Sequence, residues 1–521
     1  MIQIAIRTLQ SDSVTPEEQA LGFFTRKKLK KLTTWPEWQQ GESKQLNQFH
    51  EQEMYGKPVD QESLPKGSIV LRPHWQYVVK RNGTRRSRQC CNRSKNAAPQ
   101  LHAVASTWSS CVELPIQRLF LGLCATKNLR IYGGDARDAY AHSPAPEVPT
   151  FLRIDDAYAD WYKMKFNREI NRRQVLPVQH SLQGHPESGK MWMRLIDNIL
   201  IKEMGFTSTT HDRCIYKHDN IFNETVYIIR QVDDFMLGCK DEKTAKDIFN
   251  IIGTKLQFPS EKLKGVVPFE YLGLVTDYNG VDIRQTRDYI EMHCTNYIDR
   301  LLKSHSWTTK SDDDLSNNHL GSTKPVYRVS QPYRDNLSDE ELLKQFKANE
   351  KSKTHSMKSS KPLSPLPADC IDTMFKEVGP LEGSVDHTIL EKKNGFGYRT
   401  LLGELMYAYI TCRPDIGYAI TSLSKFSTRP SAVHYKLLRG VAKYLRSTRS
   451  WGIRFHRSKP MNDMEPGVKY DIELPSELRN FPVDIKEPRL KCFVDAAHAN
   501  DLRQRRSTTG YVFTFAGGAV V

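Results

Sequence analysis

Two adjacent carboxylates, Asp233 and Asp234, lie between two apolar runs in the segment 225–240, TVYIIRQVDDFMLGCK. The run 226–229 leads into the pair and the run 235–237 leads out, which predicts two strands joined by a tight turn with acids at its tip. Two charges between β-forming segments are costly to bury unless something pairs with them. A hard divalent cation such as Mg²⁺ would be a natural partner, since it takes oxygen ligands and keeps positions open for phosphate. A solvated turn would give the same pattern.

A third carboxylate ends a similar apolar segment upstream. In the segment 128–141, NLRIYGGDARDAYA, apolar residues run into Asp135. Two strand-borne carboxylate sites are what a two-metal phosphoryl-transfer centre needs, because one ion activates the attacking oxygen and the other stabilises the leaving oxygen, about 4 Å away. We therefore expect Asp135, Asp233 and Asp234 to be the catalytic residues and metal ligands of one site.

Three sequence motifs resemble motifs of one family of enzymes. VDD at 232–234, between its two strands, resembles the catalytic hairpin of reverse transcriptases, and DARDAY at 135–140 resembles their first catalytic motif. The segment 181–192, SLQGHPESGKMW, resembles the part that contacts the incoming nucleotide. Order and spacing are most similar to the Ty1/copia class of retrotransposon Pol polyproteins, over roughly residues 67–303 and 396–521.

This resemblance implies an α+β fold of the right-hand polymerase type, with fingers, thumb and an antiparallel palm sheet. It also implies an RNA-directed DNA polymerase, in which a primer 3′-hydroxyl attacks the α-phosphate of a dNTP. Two Mg²⁺ ions, or Mn²⁺ as a substitute, would be held by the carboxylates. The implied partners are an RNA template, a DNA primer and dNTPs. The protein would contribute positioning and charge stabilisation rather than covalent chemistry.

The resemblance further implies a nucleotide pocket. Tyr140 matches an aromatic residue beneath the sugar, where a flat ring would clash with a 2′-hydroxyl, although ordinary packing would also account for it. Seven basic residues crowd positions 80–95, where the fingers would hold a triphosphate or where a general nucleic-acid surface would lie. The expected nucleotide-binding residues are Arg86, Arg88, Tyr140, Gln183, Gly184 and Lys262. Nothing local separates Lys262 from Lys264, and Asp138 is expected to cap nearby backbone rather than to bind metal.

Composition favours a polyanionic partner. Of the 521 residues, 76 are Lys or Arg and 60 are Asp or Glu, a formal net charge of +16. Phosphate contacts by such residues dominate nucleic-acid affinity, although acidic membranes or proteins would also attract them. Mean hydropathy is −0.58, and no apolar run reaches the roughly 18 residues of a membrane span. The ten cysteines contain no CxxC pair, and residues 1–10 lack the apolar core of a signal peptide. We expect an intracellular protein with reduced thiols, in the cytoplasm, the nucleus or both, and not secreted.

Composition, periodicity and what the resemblance implies together divide the chain into six segments. They are a polar leader at 1–66, reverse transcriptase fingers, palm and thumb at 67–303, a low-order linker or insertion at 304–395, a helical connection at 396–458, a linker at 459–489 and a truncated ribonuclease H-like start at 490–521. Residues 37–55 predict a polar helix with few core positions, for which a solvated leader is the alternative. Helices are also expected at 187–204 and 289–302, and a short one near 338–348.

The last third of the chain carries two further expectations. In the helix expected at 434–446, four basic residues lie opposite an apolar stripe and would track a duplex backbone or form a solvated face; they are Lys436, Arg439, Lys443 and Arg446. TCRPDIGYAI, at 411–420, resembles a structural signature of the family. Asp495 matches the first catalytic carboxylate of ribonuclease H, but Ala497 stands where that family has its next Asp. We expect no ribonuclease H activity, and a segment that docks on the preceding helices or is partly disordered.

Two other functions remain open on the sequence alone. A two-metal nuclease would use the same strand-borne carboxylates and basic surface, although Gln183-Gly184 and Tyr140 argue against it because a nuclease needs no nucleotide pocket. An inactive retroelement remnant that only binds nucleic acid is the third hypothesis. Gln231 stands where the family usually has an aromatic residue before VDD, which concerns packing of the primer end rather than metal binding.

Overall fold

The computed structural model describes residues 14–21, 24–80, 83–92, 94, 108–256, 258, 263–307, 364–367, 370–468, 489–499, 501 and 505–521. Lys262 and the helix expected near 338–348 lie outside these residues. The described residues divide into two compact units, an N-terminal unit up to residue 279 and a C-terminal unit from residue 280 onward. Within the described ranges, no helix is both long and apolar enough to span a membrane.

The N-terminal unit mixes helices and strands, as the sequence predicts. Its helices are α1 (Pro16–Ala20), α2 (Arg26–Leu29), α3 (Trp35–Glu51), α4 (Leu114–Thr126), α5 (Asp156–Phe166), α6 (Ser188–Asp197) and α7 (Glu242–Lys255). Its strands are β1 (Val59–Asp60), β2 (Ile69–Leu71), β3 (Pro73–Val79), β4 (Arg85–Cys91), β5 (Arg130–Ala136), β6 (Thr150–Arg153), β7 (Gln174–Pro177), β8 (Thr207–Ser208), β9 (Ile215–Ile221), β10 (Glu224–Gln231), β11 (Asp234–Cys239), β12 (Phe269–Leu274) and β13 (Asp277–Tyr278).

A six-stranded antiparallel sheet forms the centre of this unit, in the order β12-β5-β11-β10-β9-β8. β10 and β11 are almost wholly buried, which matches their apolar runs. Helices α6 and α7 bury their apolar stripes in the same core, for example through Trp192, Ile196 and Ile248. The expected helix at 187–204 is therefore present; it continues beyond α6 as a π-helical segment, Asn198–Glu203.

One glycine of β5 is required by this packing. A Cβ atom on Gly134 would lie 2.3 Å from Cε1 of Phe269 and 3.0 Å from Cε1 of Phe249. The two rings are stacked, with centroids 5.1 Å apart, and Phe235 contacts Phe269 edge-on. The aromatic layer can thus approach the backbone of β5 only because residue 134 has no side chain.

A second layer holds a four-stranded sheet, β1-β7-β6-β2, and the separate hairpin β3–β4. Helix α3 packs on β4 and buries Trp38, Leu46 and Phe49. The close approach needs Gly41, whose Cβ would lie 2.8 Å from Oγ of Ser87. Residues 35–51 are thus part of the core, which contradicts the solvated-leader alternative.

The C-terminal unit contains a second antiparallel sheet and a group of helices. Its strands are β14 (Val281–Gln285), β15 (Tyr289–His293), β16 (Gly452–His456), β17 (Lys491–Ala497), β18 (Thr508–Phe515) and β19 (Gly518–Ala519). Its helices are α8 (Thr295–Ser304), α9 (Cys370–Lys376), α10 (Val385–Asn394), α11 (Tyr398–Thr411), α12 (Gly417–Ser424) and α13 (Ala432–Ser447). The prediction of one helix over 289–302 is wrong in its first part, because Tyr289–His293 pairs with β14 and β16 and is buried along its whole length. Two helices, α9 and α10, also lie inside the segment expected to be a linker.

The RPD sequence has a structural role in this unit. Arg413 is 1% exposed, and its guanidinium donates to both carboxylate oxygens of Asp415, at 3.0 and 2.7 Å. It also donates to the carbonyl and the hydroxyl of Thr448, at 2.8 and 2.6 Å. A buried cation with its donors used in this way ties the start of α12 to the end of α13.

The final strands form a three-stranded sheet, β17-β18-β19. It docks on a strand rather than on helices alone: the backbone N–H of His456 donates to the carbonyl of Ala516 at 2.8 Å, and Gly518 packs directly on the ring of Phe455. One ion pair, Lys425–Asp501 at 3.6 Å, links it to the end of α12. The expectation of docking on the preceding helices is therefore met only in part.

Candidate active site

The sheet brings the three expected carboxylates together. Asp234, at the start of β11, is directly opposite Asp135 in the register of β5. The N–H of Ala136 donates to the carbonyl of Asp233 at 2.9 Å, so the pairing continues to the tip of the β10–β11 hairpin. Antiparallel neighbours keep directly opposed side chains within about 5.5 Å at Cβ. Residues almost 100 positions apart in sequence thus share one edge of the sheet.

The hairpin tip has an unusual backbone. Gln231 pairs with Asp234, which leaves a two-residue turn at Val232 and Asp233. Val232 has φ +59°, a region that β-branched residues rarely adopt. The turn is supported from below by Trp192, which is 1% exposed and whose Nε1–H donates to the carbonyl of Val232 at 2.6 Å. Strained backbone held by its surroundings is typical of functional sites.

Burial and mutual repulsion raise the pKa of each carboxyl group at this edge. For Asp135, burial is the larger cause, followed by the charges of Asp233 and Glu270. For Asp233, burial raises the pKa, and Arg88 and Arg86 oppose it. Burial, then Asp233 and Asp135, raise the pKa of Asp234 to about 6. Because neighbouring carboxylates at this edge repel one another when ionised, a bound cation would stabilise them.

The donor set fits a divalent ion in its chemistry. Asp135, Asp233 and Asp234 offer hard carboxylate oxygens, the ligand type that Mg²⁺ prefers. Among the residues that the structure describes, no group of three His, Cys, Asp or Glu side chains is closed tightly enough to hold a metal ion by itself.

The β3–β4 hairpin divides its arginines between two faces. Arg85 lies on the side of the N-terminal helices, where it pairs with Glu18 at 2.8 Å and with Glu37 at 2.6 Å. Because side chains alternate along a strand, Arg86 and Arg88 lie on the opposite side. Both line the same cavity as Asp135 and Asp233, and their charges oppose the rise in the pKa of Asp233. Neither arginine has a carboxylate within ion-pair distance in the described part of the chain.

A cavity of about 800 Å³ lies between the β3–β4 hairpin and the sheet edge that carries the carboxylates. Its lining includes Arg86, Arg88, Asp135, Asp233, Tyr140 and Gln183. Gly184 lies at the neighbouring cavity of about 780 Å³, which Tyr140 and Gln183 also line. The loop that carries Gln183 is fixed to the hairpin, because the N–H of Cys91 donates to the Gln183 carbonyl at 3.0 Å. Of the expected nucleotide-binding residues, all but the undescribed Lys262 are brought together here.

Helix α3 forms a wall of the same cavity, which the sequence did not reveal. Lys44, Gln48 and Gln52 line it at intervals of four residues, the spacing of one helix face. Lys44 lies close enough to help lower the pKa of Lys80, after the larger effects of Arg86 and burial. The sequence signal for this wall was the polar stripe at intervals of four residues, in a helix that also buries Trp38, Leu46 and Phe49.

Asp138 does not cap local backbone as expected. At the start of the short 3₁₀ helix Ala139–His142 its side chain makes no capping bond. Its Oδ2 instead accepts hydrogen bonds from Nε2 of Gln48 and, at 2.8 Å, from Nε2 of Gln52. The prediction was wrong because the side-chain amides of Gln48 and Gln52 bind the Asp138 carboxylate in place of the local backbone N–H groups.

The expected basic stripe on α13 is not a continuous surface. Lys436 is exposed and Lys443 is half-buried. Arg439 donates to the carbonyl and side chain of Asn394, at 3.0 and 2.9 Å, and Arg446 is only 3% exposed. The arithmetic of helix faces failed for Arg446 because neighbouring elements cover more than the apolar stripe. The prediction of a four-residue nucleic-acid face is therefore corrected at Arg446.

Asp495 lies on an exposed strand, directly opposite Gly510. The neighbouring Asp501 is 6% exposed and pairs with Lys425. In the described part of the C-terminal unit, no group of three acidic, His or Cys side chains suited to a metal surrounds Asp495. Asp495 is thus not part of a cluster of metal-binding side chains in the described residues.

Comparison with known proteins finds a match over the part of the chain that contains this sheet edge. A family model described as reverse transcriptase (RNA-dependent DNA polymerase) matches residues 59–314. The retrovirus-related Pol polyprotein from transposon TNT 1-94 of Nicotiana tabacum is 22% identical over 467 residues, 88% of this chain and 27% of that protein. A putative transposon Ty5-1 protein of Saccharomyces cerevisiae is 20% identical over 68% of this chain and 83% of its own length.

Residues 59–314 thus match the reverse transcriptase family, and the chain is homologous to Pol polyproteins of copia-type retrotransposons. It spans 27% of the length of the tobacco polyprotein. Among solved structures, telomerase from Candida albicans in complex with the TWJ fragment of telomeric RNA covers 78% of this chain and 64% of its own, with 10% identity and a TM-score of 0.29. That score is too low to support any conclusion about fold or function.

Proposed function

We propose that this chain catalyses RNA-directed DNA synthesis, adding dNTPs to a primer 3′-hydroxyl on an RNA template. The observation that carries the proposal is the register that puts Asp135 opposite Asp234, with Asp233 at the adjoining hairpin tip. In this reading the six-stranded sheet is the palm, the β3–β4 hairpin belongs to the fingers, and residues from β14 onward begin the thumb and connection.

Asp135, Asp233 and Asp234 would hold two Mg²⁺ ions. When bound, such ions activate the attacking oxygen and stabilise the leaving oxygen of an in-line displacement. The residues of the chain supply position and charge. β5 and β11 fix the carboxylates through backbone pairing on both sides, so little reorganisation is needed when substrate arrives.

The opposite wall of the cavity would bind the triphosphate. Arg86 and Arg88 have no acidic partner in the described residues, and they face the carboxylates across about 800 Å³ of space. A guanidinium can bind a phosphate through two parallel N–H bonds. Arg85 is excluded from this role because Glu18 and Glu37 already neutralise it. Tyr140, which lines the cavity, would contact the sugar and disfavour a 2′-hydroxyl.

Primer extension tests the proposal directly. The purified chain, an RNA template annealed to a DNA primer, Mg²⁺ and dNTPs should give extended primers. Asp233→Asn should lower the rate by about 10²-fold or more, because it removes a charge that the metal ions require, while template–primer binding stays nearly unchanged. Asp219→Asn is the matched control, since Asp219 is an exposed residue of β9 in the same sheet.

The assay also separates the alternatives. Cleavage of nucleic acid without dNTPs, lost in Asp233→Asn, would identify a two-metal nuclease. Binding of template–primer with no extension by the wild-type chain would identify an inactive remnant. Extension by Asp233→Asn at a rate near wild type would refute the assignment of the site.

A further inference from the structure

We infer that Gln52, together with Gln48, is a positioning residue for nucleotide selection, acting through Asp138 on Tyr140. The inference rests on the proposed polymerase function and extends it to helix α3. That helix precedes residue 59, where the matched reverse transcriptase region begins. The juxtaposition is a pair of hydrogen bonds between this helix and the short segment that carries Tyr140.

The contact joins a buried amide, that of Gln52, to the exposed carboxylate of Asp138. Gln52 is 2% exposed, and its Nε2–H donates to Oδ2 of Asp138 at 2.8 Å. Gln48, one helical turn earlier, donates to the same oxygen. Hydrogen bonds to an ionised acceptor are about twice as strong as neutral ones. Two amides converging on one carboxylate oxygen therefore fix the position of Asp138 from the side of α3.

The position of Asp138 determines the backbone turn around Tyr140. Its φ of +53° and ψ of +45° are in the left-handed region, which a non-glycine residue keeps only with support from its surroundings. The carbonyl of Asp138 accepts the N–H of Ala141 at 2.7 Å and so closes the turn that holds Tyr140. Release of the Asp138 side chain would allow this turn to relax, and Tyr140 would move with it.

The carboxylate also lies within the field of the site. Its charge acts on Arg86, Asp135 and Asp233. A free Asp138 carboxylate could turn toward Arg86 and compete with a triphosphate for that guanidinium. The two amides of α3 hold it away from such a role without adding another charge. Loss of the amides should therefore weaken both dNTP affinity and sugar discrimination.

The experiment compares Gln52→Leu with Gln40→Leu in primer extension. Both replace an amide by an apolar side chain on α3, but Gln40 is exposed and is absent from the cavity lining. KM and kcat are measured for a dNTP and for the matching rNTP. We expect Gln52→Leu to raise KM for the dNTP about ten-fold, to lower the dNTP-to-rNTP preference by a similar factor and to change kcat less. Gln40→Leu should leave all three as in the wild type.

A second pair of variants separates positioning from folding. Asp138→Asn keeps an oxygen that accepts from Gln52, so it should retain more of the preference than Asp138→Ala. In the Asp138→Ala background, adding Gln52→Leu should have no further effect, because the partner is already missing. Thermal unfolding measures the stability of each variant alongside.

The outcomes are distinct. Full additivity of the two substitutions, or a Gln52→Leu variant that loses stability but keeps its sugar preference, would overturn the inference and leave the polymerase proposal intact. If the wild-type chain extends no primer, the proposed function fails and this inference fails with it. A reduced preference in Gln52→Leu, coupled to Asp138, supports it.

Discussion

The indole N–H of Trp192 donates to the carbonyl of Val232 at 2.6 Å, and this bond joins helix α6 to the hairpin tip that carries Asp233. Val232 holds a left-handed φ of +59°, so its peptide needs outside support. The indole provides that support, and Trp192 and Val232 both line the cavity of about 780 Å³.

Trp192→Phe should therefore reduce activity through the loss of this bond. Phe keeps an aromatic ring in the core but is smaller than Trp, so the hydrogen bond and some packing are lost together, at about 2–3 kcal/mol in the free energy of unfolding. Primer extension should fall between about ten- and a hundred-fold, because Asp233 is no longer held in place. Trp161→Phe is a suitable control: it removes a similar bond, to Asn47, away from the site. Equal loss of activity in both variants would contradict the role of Trp192.

Tyr140→Ala should admit ribonucleotides, since it removes the ring expected beneath the sugar. Tyr140→Phe keeps the ring and should keep the preference for dNTPs. Both are measured as the ratio of kcat/KM for a dNTP to that for its rNTP. An unchanged ratio in Tyr140→Ala would show that the residue only packs against its neighbours.

Neighbouring arginines of β4 should have opposite phenotypes. Arg85→Gln leaves the buried carboxylate of Glu18 without its ion-pair partner and should lower the free energy of unfolding by about 3 kcal/mol. Arg86→Gln removes no ion pair seen in the described residues, and should instead raise KM for dNTPs with little change in stability. Denaturant unfolding and steady-state kinetics distinguish the two. A stable Arg85→Gln variant with impaired nucleotide binding would reverse the assignment of the two faces.

Acid should destabilise the protein through Glu18. Burial raises the pKa of this carboxyl group, but hydrogen bonds from Arg85, Thr15, Thr34 and Trp38 outweigh it and bring the pKa to about 2, below the ordinary 4.5. A lowered pKa in the folded state contributes stability above pH 4.5, and that contribution disappears as the pH falls from 4.5 to about 2. The melting temperature of the wild type should fall in this window relative to that of Glu18→Gln. Parallel profiles would contradict the pairing.

The chain should not cleave the RNA strand of an RNA–DNA hybrid. Two-metal cleavage needs several carboxylates, and Asp495 lies opposite Gly510 on an exposed strand, with Ala497 two residues on. The test is incubation with labelled hybrid and Mg²⁺ or Mn²⁺ without dNTPs. Hybrid-specific cleavage that disappears in Asp495→Asn would refute this prediction.

The sequence was sufficient to predict elements whose pattern is local. The two apolar runs around Asp233 and Asp234 predicted strands because alternation and turn residues act over a few positions. The stretch 289–293 was misassigned because five consecutive buried residues have no period that separates a strand from a helix. Only its two partner strands, one of them more than 150 residues later, decide the outcome.

Other parts of the site depend on contacts that no local pattern encodes. The bond from Gln52 to Asp138 joins residues 86 positions apart, and Asp138 carries an ordinary local capping signal that tertiary structure overrides. Arg446 was expected to be exposed from the helical wheel alone. Its burial depends on neighbouring elements whose packing the wheel does not contain.

Gly134 makes the position of Asp135 depend on a residue outside the site. Any side chain there would have to displace Phe269 from its stack on Phe249, directly behind the strand that carries Asp135. A substitution at Gly134 should therefore shift β5, and Asp135 with it, while all three carboxylates remain chemically intact. Such a variant would keep every residue of the site and still hold them in the wrong geometry.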